Sequence, residues 1–295
     1  MKILVLGGNG YIGSHLIPYL KQNGLNVSVF GKRNDDYNNL SKDFIKNYEY
    51  IVVLAGHSSV KMCEGDLKSS WNNNVRNFSS LIDKTTKNQK IIYASSSSVY
   101  GNNGGKIFTE EDFSLDFVNN YDLTKISLDL VANKYMTEHN RKIIGLRFGT
   151  VNGSSSIIRR DLMINSMVYS SLKTGKILVN NKHIDRPILS IKDLSRSIYT
   201  IINNNFISGV YNISSLNSNV DAISKAVQLK TGADIIDNGD YCGVYNFSTD
   251  TTKFINFYNF KFEETVMSIV DDVIDCYKNK NPTIVCRDEY FKYNG

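Results

Sequence analysis

The amino-acid sequence predicts an α/β protein built on a doubly wound parallel sheet and followed by a smaller α/β lobe. Continuous apolar segments of strand length recur along the first half of the chain and alternate with helical or loop stretches, which is typical of parallel strands covered by helices on both faces. A glycine-rich turn follows the first apolar segment and precedes a helical pattern. The regular alternation ends near residue 150, which places the change of lobe there.

Five apolar segments are the predicted strands of the sheet. They are KILVL at 2–6, LNVSVF at 25–30, IVVLAG at 51–56, KIIYASSS at 90–97 and KIIGLRF at 142–148. The stretch between the second and third segments is too short for a complete additional helix and strand. The third strand that this architecture usually has is therefore expected to be short or missing.

The second lobe is predicted over residues 151–295, after a first lobe over 1–150, with interleaving expected at the boundary. It opens on a loop rich in Gly, Ser and Asn, GTVNGSSSIIRR. Five elements are predicted to follow: a helix around 161–174, an extended KILVN segment, a helix after Asp193, a strand GVYNIS and a closing helix near 263–278.

The composition excludes several classes of function. The chain has 295 residues, of which 41% are hydrophobic, enough to bury a full core. Its net charge of +5 is spread without a basic run or an aromatic-interleaved basic stripe, so no nucleic-acid partner is expected. No apolar run reaches the roughly 20 residues of a membrane span, and the chain opens without a leader pattern. We therefore expect a cytoplasmic protein without membrane contact.

Cysteine and histidine usage predicts no metal site. The four cysteines lack CxxC spacing and the density of a disulfide framework, which favours free thiols in a reducing compartment. His15, His139 and His183 have no ligand-like spacing with cysteine or carboxylate residues.

The glycine-rich turn carries the first functional signal. Gly7, Gly10 and Gly13 have GxxGxxG spacing directly after the first strand, with Tyr11 and Ile12 between the last two. Glycine permits a tight turn, close approach of a pyrophosphate and close helix–strand packing, while the helix N-terminus offers unpaired N–H groups. The alternative is an ordinary glycine turn. Because position and context agree, we predict a Rossmann-type site for NAD(P).

The end of the second predicted strand bears on the choice of cofactor. An acidic residue for the adenosine ribose is usual there, but this chain has Lys32 and Arg33. These two side chains could hold a 2′-phosphate through charge-assisted hydrogen bonds, which favours NADP(H) over NAD(H). Alternatively both are solvated loop charges, and Asp35 or Asp36 serves NAD.

A phenol and an ammonium lie one helical turn apart in YDLTK. Tyr121 and Lys125 share a helix face, and a nearby cation can bring a tyrosine pKa toward neutrality. Tyr169 and Lys173 have the same spacing, so the pattern alone is weak. Tyr121, however, lies 25 residues after Ser96, and Ser96 is at the carboxyl end of a predicted strand. Ser96 can donate to a reacting substrate oxygen, which indicates Ser96, Tyr121 and Lys125 as the catalytic set.

These motifs together resemble the extended short-chain dehydrogenase/reductases, in particular the nucleotide-sugar epimerase/dehydratase group. The resemblance covers nearly the whole chain: GGNGYIGSHL, AGHSSV, NNNV, SSSSVYG and YDLTK in the first part, and RRDLMINSMV, RPILSIKDLSRSI and VYNISS in the second. It implies cofactor contacts at Gly7, Gly10, Tyr11, Ile12, Gly13, Leu54, Ala55, Gly56 and Asn74, besides Tyr121 and Lys125.

The same resemblance implies a nucleoside-diphosphate sugar as substrate. Arg159 or Arg160, together with Arg186, are the candidates for the diphosphate, although the first two could be loop charges. Ser97 and Thr150 are further substrate candidates. His57 follows a predicted strand in the cleft and could touch substrate or nicotinamide, or be a plain loop histidine.

Departures from the family pattern limit the reaction. Asp122 stands where the family often has glycine, and Thr150 where it usually has asparagine. Ser97 and Ser98 replace the Asp-Glu pair of 4,6-dehydratases, so elimination of water is disfavoured. No cysteine stands beside Ser96, which weakens a 3,5-epimerase/reductase interpretation. Chemistry at a single carbinol, most simply C4, remains.

Three functional hypotheses follow. C4 keto-reduction of a nucleotide sugar by NADP(H) is favoured slightly, because the short segment after the second strand would speed cofactor exchange. The alternative is a C4 epimerase with tightly bound NAD. A hypothesis of another class is a non-catalytic Rossmann protein that senses NAD(P). The family resemblance also implies a homodimer in which the catalytic helix and its neighbour form a four-helix bundle.

Overall fold

The computed structural model describes residues 1–31, 36–101, 104–112 and 119–286. Its strands are β1 (Lys2–Leu6), β2 (Asn26–Phe30), β3 (Tyr50–Val53), β4 (Lys90–Ser96), β5 (Lys106–Phe108), β6 (Lys142–Phe148), β7 (Thr150–Asn152), β8 (Ile157–Arg159), β9 (Lys176–Val179), β10 (Asp185–Ser190), β11 (Gly209–Ile213), β12 (Leu216–Asn219), β13 (Asp234–Asp237), β14 (Phe247–Thr249) and β15 (Thr283–Val285).

The helices surround these strands. They are α1 (Tyr11–Gln22), α2 (Lys42–Ile45), α3 (Val60–Gly65), α4 (Leu67–Trp71), α5 (Asn77–Lys84), α6 (Asn120–His139), α7 (Met163–Thr174), α8 (Ile191–Asn203), α9 (Val220–Thr231), α10 (Thr252–Tyr258) and α11 (Val266–Asn279). None of these described helices is long and apolar enough to cross a membrane.

Six strands form the central sheet, in the order β11-β6-β4-β3-β1-β2. Every neighbouring pair is parallel, so the predicted α/β fold with a parallel sheet is confirmed. Strand β2 is the edge, and the described residues between it and β3 form only a 3-10 turn and the short helix α2. The expectation of a short or missing third strand therefore holds for the described part of this segment.

The apolar strands fill both faces of the sheet because alternate side chains point to opposite sides. In β1, Ile3 packs in one core cluster with Leu16 of α1. The next residue, Leu4, packs in a second cluster with Phe78 of α5. All four side chains are almost fully buried. A continuous apolar strand in the sequence thus corresponds to a strand covered by helices on both faces.

The chain after residue 150 returns to this sheet. Strand β11 pairs with β6 along its whole length, from Gly209 beside Ile144 to Ile213 beside Phe148. The remaining strands form a three-stranded sheet, β12-β10-β7, and pairs that include β13-β9. Strand β7 follows β6 directly and pairs with β10, so the two sheets meet beside the carboxyl ends of the central strands.

Candidate active site

A cavity of about 690 Å³ lies at the carboxyl ends of the central strands. This is where ligands bind in open α/β sheets. Both parts of the chain contribute to its wall. The sequence-predicted residues that line it are Tyr11, Ile12, Leu54, Gly56, Ser96, Ser97, Tyr121, Lys125, Thr150, Arg159 and Arg186.

The glycine turn packs backbone against backbone at the start of α1. Gly7 has a φ of 78°, and a Cβ placed on it would lie 2.5 Å from the nitrogen of Ala55. A Cβ on Gly13 would lie 2.3 Å from the oxygen of Gly8. Gly10 caps the helix without a side-chain hydrogen bond. The turn therefore leaves backbone N–H groups of the first helical turn for an anion, as a pyrophosphate site requires.

A buried asparagine fixes the loop after β3. Asn74 receives a hydrogen bond from the backbone N–H of His57 at 2.7 Å and donates to the carbonyl of His57 and to the hydroxyl of Thr124. The His57 ring is 2.7 Å from the hydroxyl of Ser70. Neither Asn74 nor His57 is among the described residues that line the cavity. Asn74 instead connects this loop to α6 through its hydrogen bonds with His57 and Thr124.

The segment that carries Asn74 has a local conformation that the sequence did not predict. Residues Asn72–Arg76 form a π-helical turn between α4 and α5. Such turns are rare and occur frequently at functional sites. Here the extra residue in the turn accompanies the inward placement of Asn74, which is 2% exposed.

The three predicted catalytic residues come together at the cavity. Ser96 ends β4, and Tyr121 and Lys125 lie in the first two turns of α6. The Ser96 side chain is close enough to Tyr121 to lower the pKa of its phenol, and the Ser96 hydroxyl donates to that of Ser98 at 2.9 Å. The Lys125 ammonium lies 5.7 Å from the centre of the Tyr121 ring and donates to the carbonyl of Ala94 at 2.8 Å.

Burial controls the titration of this set. It raises the pKa of Tyr121 to about 12, while the neighbouring Ser96 hydroxyl and the charge of Arg159 act in the opposite direction. Burial lowers the pKa of Lys125 to about 8. A phenol with a raised pKa needs added positive charge beside it to act as a base near neutrality.

The structure separates the arginine candidates. Arg159 lines the cavity, forms an ion pair with Asp161 and donates to the carbonyl of Ser58. Arg160 lies over the ring of Tyr169 instead, outside the described cavity wall.

Arg186 is the cavity arginine with unused hydrogen-bonding capacity. One terminal nitrogen donates to the carbonyl of Tyr245 at 3.2 Å, and the guanidinium lies over the Tyr245 ring. Its buried Nε has no hydrogen-bond partner among the described residues. Burial lowers the pKa of this guanidinium, so an anion in the cavity would relieve an electrostatic cost.

The competing Tyr169 and Lys173 pair lies on α7, away from the described cavity wall. The Tyr169 ring packs edge-on against Tyr277 at 5.4 Å. Tyr169 is thus a packing residue of α7.

One wall of the cavity was missed by the sequence reasoning. Residues 238–246, here named the cavity strap, have no regular secondary structure, and Tyr241, Val244 and Tyr245 line the cavity from it. No motif or periodicity marks this segment. The cofactor-selecting candidates Lys32 and Arg33 lie outside the described residues.

The fold and this site define a class of protein. A glycine turn at a helix N-terminus, a parallel sheet, and a serine, tyrosine and lysine at the strand ends are the features of an extended short-chain dehydrogenase/reductase. The chain belongs to the NAD dependent epimerase/dehydratase family, whose sequence profile matches residues 3–214.

Curated relatives agree with this assignment. Protein CapI of Staphylococcus aureus is 32% identical over 215 residues, which cover 63% of this chain and 62% of that protein. This chain thus spans less than two thirds of that relative's length. The Bifunctional UDP-glucose 4-epimerase and UDP-xylose 4-epimerase 1 of Pisum sativum is 29% identical over 182 residues, 50% of this chain and 51% of that protein.

A solved structure of similar fold is the UDP-glucuronic acid 4-epimerase from Bacillus cereus in complex with UDP-glucuronic acid and NAD. The TM-score is 0.83, and the match covers 95% of this chain and 100% of that chain. Because the sequence identity is 22%, this similarity shows the shared fold alone.

Proposed function

We propose that this protein is a C4 epimerase of a nucleoside-diphosphate sugar that retains a nicotinamide cofactor. The observation that carries the proposal is the meeting of Ser96, Tyr121 and Lys125 at one end of a cavity that also contains Arg186. These groups suit reversible proton transfer at one carbinol, with a cation available for a diphosphate. The 4-epimerases among the curated relatives support C4 as the reacting carbon.

The glycine turn fits a dinucleotide. A Cβ at Gly7 or Gly13 would collide with the backbone of this chain, so glycine permits the tight turn before α1. The uncapped N-terminus of α1 faces the site through Tyr11 and Ile12, which line the cavity. When bound, the nicotinamide would accept and return the hydride of C4. The backbone N–H groups of the first turn of α1 would hold its pyrophosphate, since those of Gly7 and Gly10 already donate to the carbonyls of Phe30 and Gly7.

The side chains then have distinct tasks. Tyr121 takes the proton of the C4 hydroxyl as the C–H bond breaks, which leaves a ketone at C4. Ser96 donates a hydrogen bond to that oxygen, and the Lys125 ammonium favours the phenolate. After the sugar presents its other face, Tyr121 returns the proton to the oxygen as C–H forms again, which inverts C4 without net oxidation.

The diphosphate is assigned to Arg186 because this arginine lines the cavity and its described hydrogen-bond partner is a backbone carbonyl, not a carboxylate. Arg159 already has Asp161 and a backbone carbonyl as partners, so it has less capacity for a further anion. An arginine with free N–H groups can bind a phosphate through two parallel hydrogen bonds. Thr150 and Ser97 lie in the same cavity wall and would contact the sugar.

C4 reduction of a keto sugar is the second candidate. It needs the same three residues, and the sequence favoured it because of Lys32, Arg33 and the short segment after β2. The absence of a described strand between β2 and β3 is the observation that still speaks for it, since a thinner wall would allow faster exchange of cofactor. Epimerisation is preferred because it is the activity named for the curated plant relative.

Stoichiometry tests the proposal. The purified protein is incubated with UDP-glucose, UDP-glucuronic acid and their C4 epimers, while products are separated and reduced nicotinamide is followed by absorbance. Interconversion of C4 epimers without net redox change supports the epimerase. Consumption of one NAD(P)H per product with a 4-keto sugar nucleotide would establish the reductase instead.

The Tyr121→Phe variant supplies the mechanistic control. It should lose turnover and keep its affinity for cofactor and UDP, because only the transferable proton is removed. Near wild-type turnover in this variant would disprove the mechanism. Binding of NAD and UDP by the wild-type protein without turnover of any nucleotide sugar would favour the non-catalytic sensor.

Cofactor preference is a separate proposal. Lys32 and Arg33 favour a 2′-phosphate, whereas retention of cofactor by an epimerase is usual for NAD. Dissociation constants for NADH and NADPH distinguish the two. A tenfold preference corresponds to about 1.4 kcal/mol, and Lys32→Ala with Arg33→Ala should remove any advantage of NADPH.

We further propose a homodimer formed through α4 and α6. Both helices expose large apolar side chains on one side of the molecule: Trp71 is 38% exposed on α4 and Leu130 is 52% exposed on α6. Trp71 and Leu123 of α6 line a common shallow surface pocket. Leu123 and Leu130 are seven residues apart and so share a helix face. Two copies of this pair of helices would bury the patch as a four-helix bundle.

A further inference from the structure

The residue next to the catalytic tyrosine is a buried carboxylate. Asp122 lies in the first turn of α6 and is 1% exposed. Its Oδ2 accepts a hydrogen bond from the hydroxyl of Tyr245 at 2.7 Å. A buried carboxylate is costly without such partners. The aspartate therefore has a local task in this chain.

Tyr245 is held from two sides by the first turn of α6. The amide nitrogen of Asn119 donates to the Tyr245 hydroxyl, and that hydroxyl donates to Asp122. Asn119 also caps α6, because its side-chain oxygen accepts from the backbone N–H of Asp122. The hydroxyl of one strap residue thus has both an acceptor and a donor on the helix that carries Tyr121.

The same tyrosine contacts the diphosphate candidate. The Arg186 guanidinium lies 5.4 Å from the centre of the Tyr245 ring and donates to the Tyr245 carbonyl at 3.2 Å. An arginine that lies over an aromatic ring and donates a hydrogen bond to the backbone carbonyl of the same residue has few orientations left. The position of Tyr245 therefore sets the direction in which Arg186 points into the cavity.

From these contacts we infer that Asp122 is a positioning residue that anchors the cavity strap to the catalytic helix through Tyr245 and so orients Arg186 toward the substrate diphosphate. The inference rests on the proposed function, since it assumes that a diphosphate is the ligand of Arg186. It assigns to Asp122 an effect on nucleotide affinity, although Asp122 is adjacent in sequence to the proton-transferring residue.

The strap has other attachments that should keep it folded without this anchor. The backbone N–H of Tyr241 donates to the side chain of Asn181. Asn246 accepts from the backbone N–H of Asp185 through its side chain and from that of Gly105 through its carbonyl. Loss of the Asp122 contact is therefore expected to loosen the strap between Tyr241 and Asn246 and leave it attached at these two residues.

Asp122→Ala and Tyr245→Phe test the anchor, with UDP as the probe. Each variant should raise the dissociation constant of UDP about tenfold, as expected for a lost hydrogen bond to a charged group. The dissociation constant of NAD should stay within about twofold of wild type, because the glycine turn lies on a different wall. Asp122→Asn keeps an acceptor for the Tyr245 hydroxyl and should largely restore UDP affinity.

Hydrogen exchange of a peptide over 238–246 gives a readout that needs no ligand. Exchange should be faster in Asp122→Ala and Tyr245→Phe than in wild type, since a released segment opens more often. Tyr135→Phe is the matched control, because it removes a tyrosine–aspartate hydrogen bond to Asp83 at the far end of the same helix. It should change neither UDP affinity nor strap exchange.

Unchanged UDP affinity and unchanged strap exchange in both variants would overturn the inference. Loss of turnover at unchanged UDP affinity would also overturn it, since Asp122 would then act on Tyr121 directly. If the wild-type protein binds neither UDP nor any other nucleoside diphosphate, the proposed function is contradicted. The exchange comparison would in that case still decide whether Asp122 anchors the strap.

Discussion

The ammonium of Lys125 donates a hydrogen bond to the carbonyl oxygen of Ala94 at 2.8 Å. This contact joins the second turn of α6 to β4, two residues before Ser96. It places a positive charge between the helix and the strand that together carry the proton-transfer groups. The charge is buried, with Lys125 only 7% exposed, and so the arrangement has a cost in stability.

That cost predicts a pH-dependent effect of Lys125→Met in the cofactor-free protein. The pKa of Lys125 falls from 10.5 to about 8 on folding. Below about pH 8 the folded chain bears the full cost of the buried charge, and the cost disappears as pH rises toward 10.5. The variant should gain up to about 3 kcal/mol in the free energy of unfolding at neutral pH, and less at pH 10. Urea unfolding at both pH values measures this, and a pH-independent difference would contradict it.

Two glycines of the cofactor turn should respond differently to alanine. Gly13→Ala places a Cβ 2.3 Å from the oxygen of Gly8, so overpacking should destabilise the fold by about 1–3 kcal/mol. Gly10→Ala meets nothing closer than the oxygen of Gly7 at 3.4 Å, at a φ of −90°. It should fold normally and weaken NAD binding. Thermal unfolding and NAD titration separate the effects, and equal loss of stability in both variants would refute this assignment.

A buried ion pair beneath the catalytic helix is expected to be essential for stability. Arg147 and Asp129 are 2.8 Å apart, with side chains 7% and 6% exposed, and Tyr93 donates to the same carboxylate. Asp129→Asn leaves the buried guanidinium without its counter-charge and should cost about 3–5 kcal/mol. Glu138→Gln breaks an exposed pair on the same helix and should change stability by less than about 1 kcal/mol. Denaturant unfolding of both variants checks the contrast.

The dimer proposal predicts that Leu130→Asp yields a monomer. A carboxylate in the centre of the α4 and α6 patch would have to be buried unpaired in the bundle. Leu229→Asp is the control, since Leu229 is 77% exposed on α9 and belongs to neither helix. Sedimentation at micromolar concentration is the measurement. A wild-type monomer, or a dimer that survives Leu130→Asp, would reject this interface.

Much of the first half of the chain could be predicted because its signals are local. Continuous apolar segments marked β1, β2, β3, β4 and β6, and the glycine turn marked the start of α1. The helix that carries Tyr121 and the position of Ser96 at a strand end could also be predicted, since strand ends and helix faces follow from periodicity. In the second half, α7, β9, α8, β11 and α11 were recovered to within a few residues, whereas α9 and α10 were not predicted.

The remaining features depend on contacts between distant residues. Arg159 and Arg160 could not be separated by sequence, because the register of the short strand β8 decides which arginine reaches the cavity. Tyr245 and Asp122 are 123 residues apart, and the strap between β13 and β14 has no periodicity. The orientation of Arg186 depends on that strap, so no motif could reveal it.

The pairing of β11 with β6 has a consequence for how the chain is made. Residues 209–213 complete the sheet beside residues 144–148. During synthesis, β6 therefore keeps an open hydrogen-bonding edge until β11 leaves the ribosome. An exposed apolar edge is a template for association with other chains, and closing a long loop delays its protection. Nascent chains halted near residue 200 should therefore recruit chaperones or aggregate, whereas chains extended past β11 should not.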